Sequence, residues 1–218
     1  MIKVERIDTY GFEHAVYAMR HPMLSYDKSD SFYAPANFCD HDFVVGDNDS
    51  DLMHRLFVSG PEHRTYDRFI FVWMVVTAPL YWWKEADRYT VGKWQVSTST
   101  MHKIHAKEFT LDDFSCEHLT YYDHDGELCR DFKGSLEVII DELNVARQLY
   151  LETKDKKWWW QMIQLLPSSY NQTRSVCMSY EVVFKIIRER TGHKLDEWNE
   201  FVEILKTLPY VEEIMNGS

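Results

Sequence analysis

Residues 78–89 read Ala-Pro-Leu-Tyr-Trp-Trp-Lys-Glu-Ala-Asp-Arg-Tyr, APLYWWKEADRY. They close the most hydrophobic part of the chain, RFIFVWMVVTAPLYWW over 68–83, and end in four ionisable groups, Lys84, Glu85, Asp87 and Arg88. Val, Ile and Phe favour a strand through 68–83, and Pro79 bars an uninterrupted helix. A surface strand would alternate with polar residues, and a core strand would stop at a turn. An apolar run that drives straight into charge predicts either a buried salt-bridge cluster or a ligand site.

The rest of the sequence supplies the elements around that run. Residues 2–8 alternate as an edge-type strand, and Gly11 opens a short helical segment, FEHAVYAMR. Residues 21–48 are irregular and polar and lead into the acidic string DHDFVVGDNDSD. There Asn48, Asp49, Ser50 and Asp51 are N-cap candidates for LMHRLFVSG, which Gly60 terminates. STST at 97–100 leads into a short helix candidate, MHKIHAKEF, and Thr110 caps a further turn in TLDDF. YYDHDGELCRDF reads as a hairpin around Asp125-Gly126. Three helices are clear: 135–155, 179–190 and 194–208. The first carries Leu136, Ile139, Ile140, Leu143, Ala146, Leu149 and Tyr150 at helical spacing. With no repeat and no linker, one α+β domain over 1–218 is the economical reading.

Composition narrows the function. The 218 residues are 45% hydrophobic and 15% aromatic, enough for a sizeable core. Net charge is −11, a field that repels nucleic acid and anionic membranes alike but leaves room for a local basic pocket. No apolar run is long enough to span a membrane, and MIKVERIDTYGFEH lacks the apolar core of a signal peptide. Cys39, Cys116, Cys129 and Cys177 show no CxxC spacing and read as reduced thiols in a cytoplasmic protein.

Single motifs have ordinary readings. His102, His105 and Glu108 would share a helix face, yet no partner motif completes a metal site. Asp123-His124-Asp125-Gly126 lacks the rest of a calcium loop and reads as a turn. Trp158-Trp159-Trp160 beside Lys154, Lys156 and Lys157 suits core and interface packing better than base stacking in so acidic a chain. Ser97, Thr98, Ser99 and Thr100 serve either as caps or as hydroxyl donors to a phosphate. Arg188 and Arg190 complement a helix dipole. His63, after Gly60-Pro61-Glu62, means little alone.

Their order along the chain gives these signals a shared meaning. Ala18-Met19-Arg20, then LMHRLFVSGPEH ending at His63, then Ala78-Pro79-Leu80-Tyr81, then Leu166-Pro167, then Arg190 and His193 follow one another as do the motifs of flavin-dependent thymidylate synthases. Over roughly residues 2–205 the chain resembles that family, ThyX. The resemblance implies an α/β fold with a central, mostly antiparallel sheet and several packed helices, assembled as a homotetramer. It also implies that the charged end of APLYWWKEADRY lies at the lip of a flavin and nucleotide pocket. By position, Arg190 is the catalytic residue that polarises the uracil ring. His63, Arg88, Ser179 and His193 fall at flavin positions, and Glu85, Ser97, Thr98 and Thr100 in the nucleotide-binding segments. FAD would be the cofactor, with NADPH and methylenetetrahydrofolate as co-substrates for methylation of dUMP. The departures are chemical. The family's Arg-His-Arg triplet reads Arg88-Tyr89-Thr90, its Gln reads Glu85, its phosphate-binding Ser and Arg read Thr98 and Thr100, and its Asn-Ala-Arg reads Ser179-Tyr180-Glu181. Loss of Arg forks beside new carboxylates weakens phosphate binding. A non-catalytic nucleotide-binding module, an enzyme for another pyrimidine nucleotide such as dCMP, and a purely structural role stay open.

Overall fold

The computed structural model describes residues 1–34 and 43–217. Pro35, Cys39 and the Asp40-His41-Asp42 opening of the acidic string fall outside the described residues. The elements run β1 (Lys3–Tyr10), α1 (Phe12–Arg20), β2 (Phe32–Tyr33), β3 (Phe43–Val44), α2 (Asp47–Ser59), β4 (Phe71–Pro79), α3 (Leu80–Ala86), β5 (Lys93–Ser97), β6 (Thr120–Tyr122), β7 (Leu128–Asp131), α4 (Lys133–Thr153), α5 (Lys156–Leu165), β8 (Asn171–Ser179), α6 (Tyr180–Arg190), α7 (Asp196–Lys206) and α8 (Val211–Asn216). This is an α/β fold around a mostly antiparallel four-stranded sheet of order β1-β4-β8-β5, so β1 is the edge strand its alternation predicts. Two short antiparallel pairs, β2–β3 and β6–β7, stand apart from it, the second being the expected hairpin around Asp125-Gly126.

The decisive stretch behaves as a strand up to its proline. Val72, Met74, Val76 and Ala78 are all 2% exposed or less, while Trp73 between them faces outward at 42%. That is the period-2 pattern of a pleated strand. Beyond Pro79 the strand reading fails: Leu80–Ala86 is a helix, and both tryptophans, Trp82 and Trp83, are buried on it. Pro79 holds extended backbone at the N-cap (φ −67°, ψ 151°), which ends the strand and pre-sets the turn into the helix. The Leu80 and Tyr81 amides donate to the Tyr170 and Ser168 carbonyls at 3.0 Å, which satisfies orphan donors of the helix start.

The chain divides into two compact units. One comprises residues 1–3, 76–88 and 96–175, the other 4–75, 89–95 and 176–218. In the first, α4 packs on α5 around Leu136, Ile140, Leu143, Ala146 and Met162, with Ile104, Phe109 and Phe114 completing the core. Asn144 clamps the 109 segment to α4: its Oδ1 accepts from the Phe109 amide and its Nδ2 donates to the Phe109 carbonyl, both at 2.9 Å. The expected helix over 101–109 is absent. Ser99 Oγ instead accepts from the amides of Met101 and His102, closing a turn, so His102, His105 and Glu108 do not share a helix face. Thr110 and Asp113 form the reciprocal capping box of the next turn, as Thr110 suggests.

In the second unit, α6 buries Tyr180, Val182, Val183, Phe184, Ile186 and Ile187, and α7 buries Trp198, Phe201, Val202 and Leu205. Gly11 joins β1 to α1 at φ 105°, and a Cβ there would lie 2.0 Å from the Phe69 carbonyl oxygen. Only glycine fits. Gly60 (φ 124°) ends α2 as expected, but the helix starts at Asp47 with Gly46 as N-cap, so Asn48, Asp49, Ser50 and Asp51 are not caps. Asp49 has another task. Fully buried, it accepts from Arg20 Nε at 2.8 Å, Ser29 Oγ at 2.5 Å and Ser31 Oγ at 2.7 Å.

Burial pushes the Asp49 carboxyl up, but the bonds from Ser29, Ser31 and Arg20 outweigh it and hold the group below its ordinary value. A depressed pKa contributes stability above the unfolded carboxylate range and loses it as pH falls through the folded value. Asp49→Ala strands the buried Arg20 cation and is expected to cost about 3–5 kcal/mol of unfolding free energy at pH 7. Urea unfolding at pH 7 and pH 3 checks both points, since the gap between the two proteins should narrow in acid.

Candidate functional site

Arg190 ends α6 half-buried, and its side chain is fixed from several sides. Nε donates to the Tyr89 hydroxyl at 3.0 Å, and one Nη lies 3.0 Å from His193 Nε2. The guanidinium carbon stands 4.5 Å from the centre of the Trp198 ring and 5.7 Å from that of Tyr89. Such stacking suits a delocalised cation and would suit a lysine less well. His193 is itself held: its Nδ1 accepts from the Leu195 amide at 3.2 Å, and its carbonyl accepts from Asn199 Nδ2 at 2.8 Å. Sequence reasoning brought Arg190 and His193 together, and the structure places them in contact.

Tyr89 is the residue the sequence undervalued. The resemblance sets it where the family's triplet has its central His, and it is buried, at 5% exposure. Its hydroxyl accepts from Arg190 and donates to Glu189 Oε2 at 3.1 Å. Burial pushes the phenol's pKa up, with Glu189 adding to the rise and Arg190 opposing it. The phenol stays neutral at pH 7 and serves as a relay that orients the arginine. Trp198 was legible only as a core residue of α7. A tryptophan eight positions after an arginine carries no sequence signal for stacking.

The other residues that the resemblance sets at flavin positions in this unit differ in character. His63 lies in an exposed turn and approaches Glu62 only to 3.7 Å. Ser179 is 2% exposed, and its hydroxyl has no hydrogen-bond partner. A Cβ on Gly92 would lie 2.8 Å from that oxygen, so Gly92 lets the two backbones close over it. The Ser179 amide donates to the Gly92 carbonyl and the Tyr180 amide to the Ile70 carbonyl, both at 2.9 Å. Glu181 occupies the first turn of α6 and takes a bidentate bond from Arg68, at 3.0 and 2.7 Å.

The other unit holds Glu85, Arg88, Ser97, Thr98 and Thr100. Glu85 is half-buried on α3, and Arg88 is exposed just past its end. Ser97 and Thr98 are exposed at the end of β5, and Thr100 is half-buried. The Thr98 amide donates to the Thr173 carbonyl at 2.9 Å, and Gln172 Nε2 donates to the Thr98 carbonyl at 2.7 Å. These bonds fix the backbone and leave the hydroxyls outward. Asp87 answers the question of the charged run in part. It pairs with Arg174 Nη1 at 2.7 Å, and the Arg174 guanidinium lies 4.1 Å from the Trp83 ring centre. Trp83 Nε1 donates to the Gln172 carbonyl at 2.9 Å beneath that pair. One end of APLYWWKEADRY is thus a packed ion pair on an aromatic face. Arg174 went unread because β8 itself was unassigned.

A flavin dinucleotide needs donors or cations for its diphosphate. At the positions the resemblance points to in the second unit, this chain offers a closed-over serine, two committed amides and a carboxylate. The residues of this chain do not fit FAD in the family's manner.

No protein-family model matches the sequence, and no curated protein matches it. Solved structures do match. Thymidylate synthase X (ThyX) from Helicobacter pylori, crystallised with FAD and dUMP, superposes with a TM-score of 0.67 at 14% identity, over 99% of this chain and 98% of that one. PolB from Streptomyces cacaoi, a UMP/dUMP methylase bound with 5-Br dUMP, superposes with a TM-score of 0.59 at 16% identity, over 99% of this chain and 92% of that one. Likeness at that identity carries the fold, and the fold bears out the resemblance read from the sequence: this chain is built as a flavin-dependent thymidylate synthase is built.

Proposed function

We propose that the protein binds a pyrimidine nucleotide, with Arg190 as the group that meets the base, and that it does so without a resident flavin. The observation that carries this reading is the fixed Arg190 side chain. A cation already held by the Tyr89 hydroxyl and the Trp198 ring loses little rotamer entropy on binding and can donate to a ring carbonyl at low cost. The fold it shares with two proteins crystallised with uridine nucleotides supports a pyrimidine as ligand. The loss of diphosphate donors around Ser179 argues for a binding module over a synthase.

The second reading is the FAD-dependent methylation of dUMP, with NADPH and methylenetetrahydrofolate as co-substrates. It is favoured by the survival of Arg190 and His193 at the family's positions. The part of this chain would be to hold the pyrimidine against Arg190.

Two measurements separate the readings. Protein incubated with FAD and then desalted should show no flavin absorbance near one per chain; a retained band overturns the module and restores the synthase. Calorimetric titration with dUMP, UMP and dCMP should give saturable binding of at least one of them. Arg190→Ala should weaken that binding at least tenfold, and Tyr89→Phe by less, with Arg190→Ala still folded and unfolding cooperatively. Nucleotide binding that survives Arg190→Ala removes Arg190 from the site.

A further inference from the structure

On the face of α6 that carries Phe184, Ile187 and Arg188, the second unit forms an open cleft of about 540 Å³, a size typical of small-molecule sites. Its lining is mixed: Phe57, Phe184 and Met215 contribute apolar surface, and Arg64, Arg188 and Lys206 contribute three cations. In a chain of net charge −11 such a convergence calls for a reason. Arg188 and Lys206 stand in the last turns of α6 and α7, where the helix dipole alone would account for them. Arg64 has no such excuse. It follows α2 in a turn, its side chain is only 12% exposed, and its guanidinium makes no hydrogen bond among the described residues. The Phe57 ring lies 4.9 Å beneath it, and the Asp67 carboxylate approaches Nε only to 3.7 Å, beyond hydrogen-bond reach.

Burying a guanidinium with its Nε donor unmet is costly. Asp67 compensates it only in part, because burial and the nearby Glu181 charge push that carboxyl up to about 7 against the pull of Arg64 and Arg68. Lys206 is engaged by Glu203 at 2.7 Å, whereas Arg188 is exposed at the cleft. Glu212 is the one acid of the lining. Two arginines, with a lysine near, thus line an open cleft that also carries apolar side chains.

We infer that this cleft binds a small organic anion, with an apolar body against Phe57 and Phe184 and an anionic head between Arg64 and Arg188. Inorganic phosphate would lack the body, and a neutral aromatic would lack the head. The site is separate from Arg190, and its occupancy would not require a nucleotide.

Phenyl phosphate is a suitable probe, with inorganic phosphate and phenol as its two halves. Titrated calorimetrically into the full chain, phenyl phosphate should bind saturably at one per chain, and each half at least tenfold more weakly. Arg64→Met and Arg188→Gln should each weaken phenyl phosphate at least tenfold, while Arg190→Ala leaves it unchanged. Arg188 is exposed, so Arg188→Gln keeps the test valid if Arg64→Met fails to fold. The inference is overturned by an absence of saturable binding. It is equally overturned by binding that survives Arg188→Gln, or by binding lost with Arg190→Ala instead, which would assign the probe to the nucleotide site.

Discussion

The pleat of β4 is the constraint on which the rest depends. Once Val72, Met74, Val76 and Ala78 must face inward, every neighbour on the strand is assigned to the other face, and a slip of one residue would invert the pattern. Pro79 then makes the strand stop where it does. Without its fixed φ, the two tryptophans would alternate in and out along a longer strand. On α3 both turn inward, and the charges that follow are delivered to the helix end. Asp87 is thereby placed to meet Arg174, and Trp83 to lie beneath it.

What the sequence made legible was whatever carried its own local chemistry. β1, α1, α4, α6 and α7 announce themselves by periodicity, and Thr110 and Gly60 by capping chemistry. What it hid depends on distant partners. β8 reads NQTRSVCMS, polar in its first half, and becomes a strand because other strands take up its backbone bonds. α3 is seven residues long, too short to hold by propensity, and its first amides are satisfied by Tyr170 and Ser168 some ninety positions away. At 101–109 the apolar spacing of a helix is present, yet Ser99 turns the chain and Asn144 captures Phe109, so tertiary bonds override the pattern. α5 hid behind its tryptophans, whose bulk suggests packing before it suggests helix.

The candidate site was legible in the same uneven way. Arg190 and His193 could be placed because order along the chain is a one-dimensional signal. Tyr89 and Trp198 could not, because their roles are contacts. A tyrosine at the centre of a triplet that usually holds a cationic or neutral imidazole reads as erosion. In three dimensions it is a replacement with its own logic: a buried neutral hydroxyl that accepts from Arg190 while donating to Glu189.

That replacement shifts where binding energy can come from. A bidentate arginine on a phosphate gives charge-assisted bonds roughly twice as strong as neutral ones. Exposed hydroxyls such as those of Thr98 contribute a net of about 1 kcal/mol each at best. Glu85, where the resemblance has a neutral amide, adds repulsion for any dianion near it. On the proposed reading, the loss of phosphate forks beside a rigidly held, ring-stacked arginine would move recognition from the phosphate toward the base. Affinity should then depend more on which pyrimidine is offered than on how many phosphates it carries, and should fall only gently with salt, because few exposed ion pairs are there to be screened.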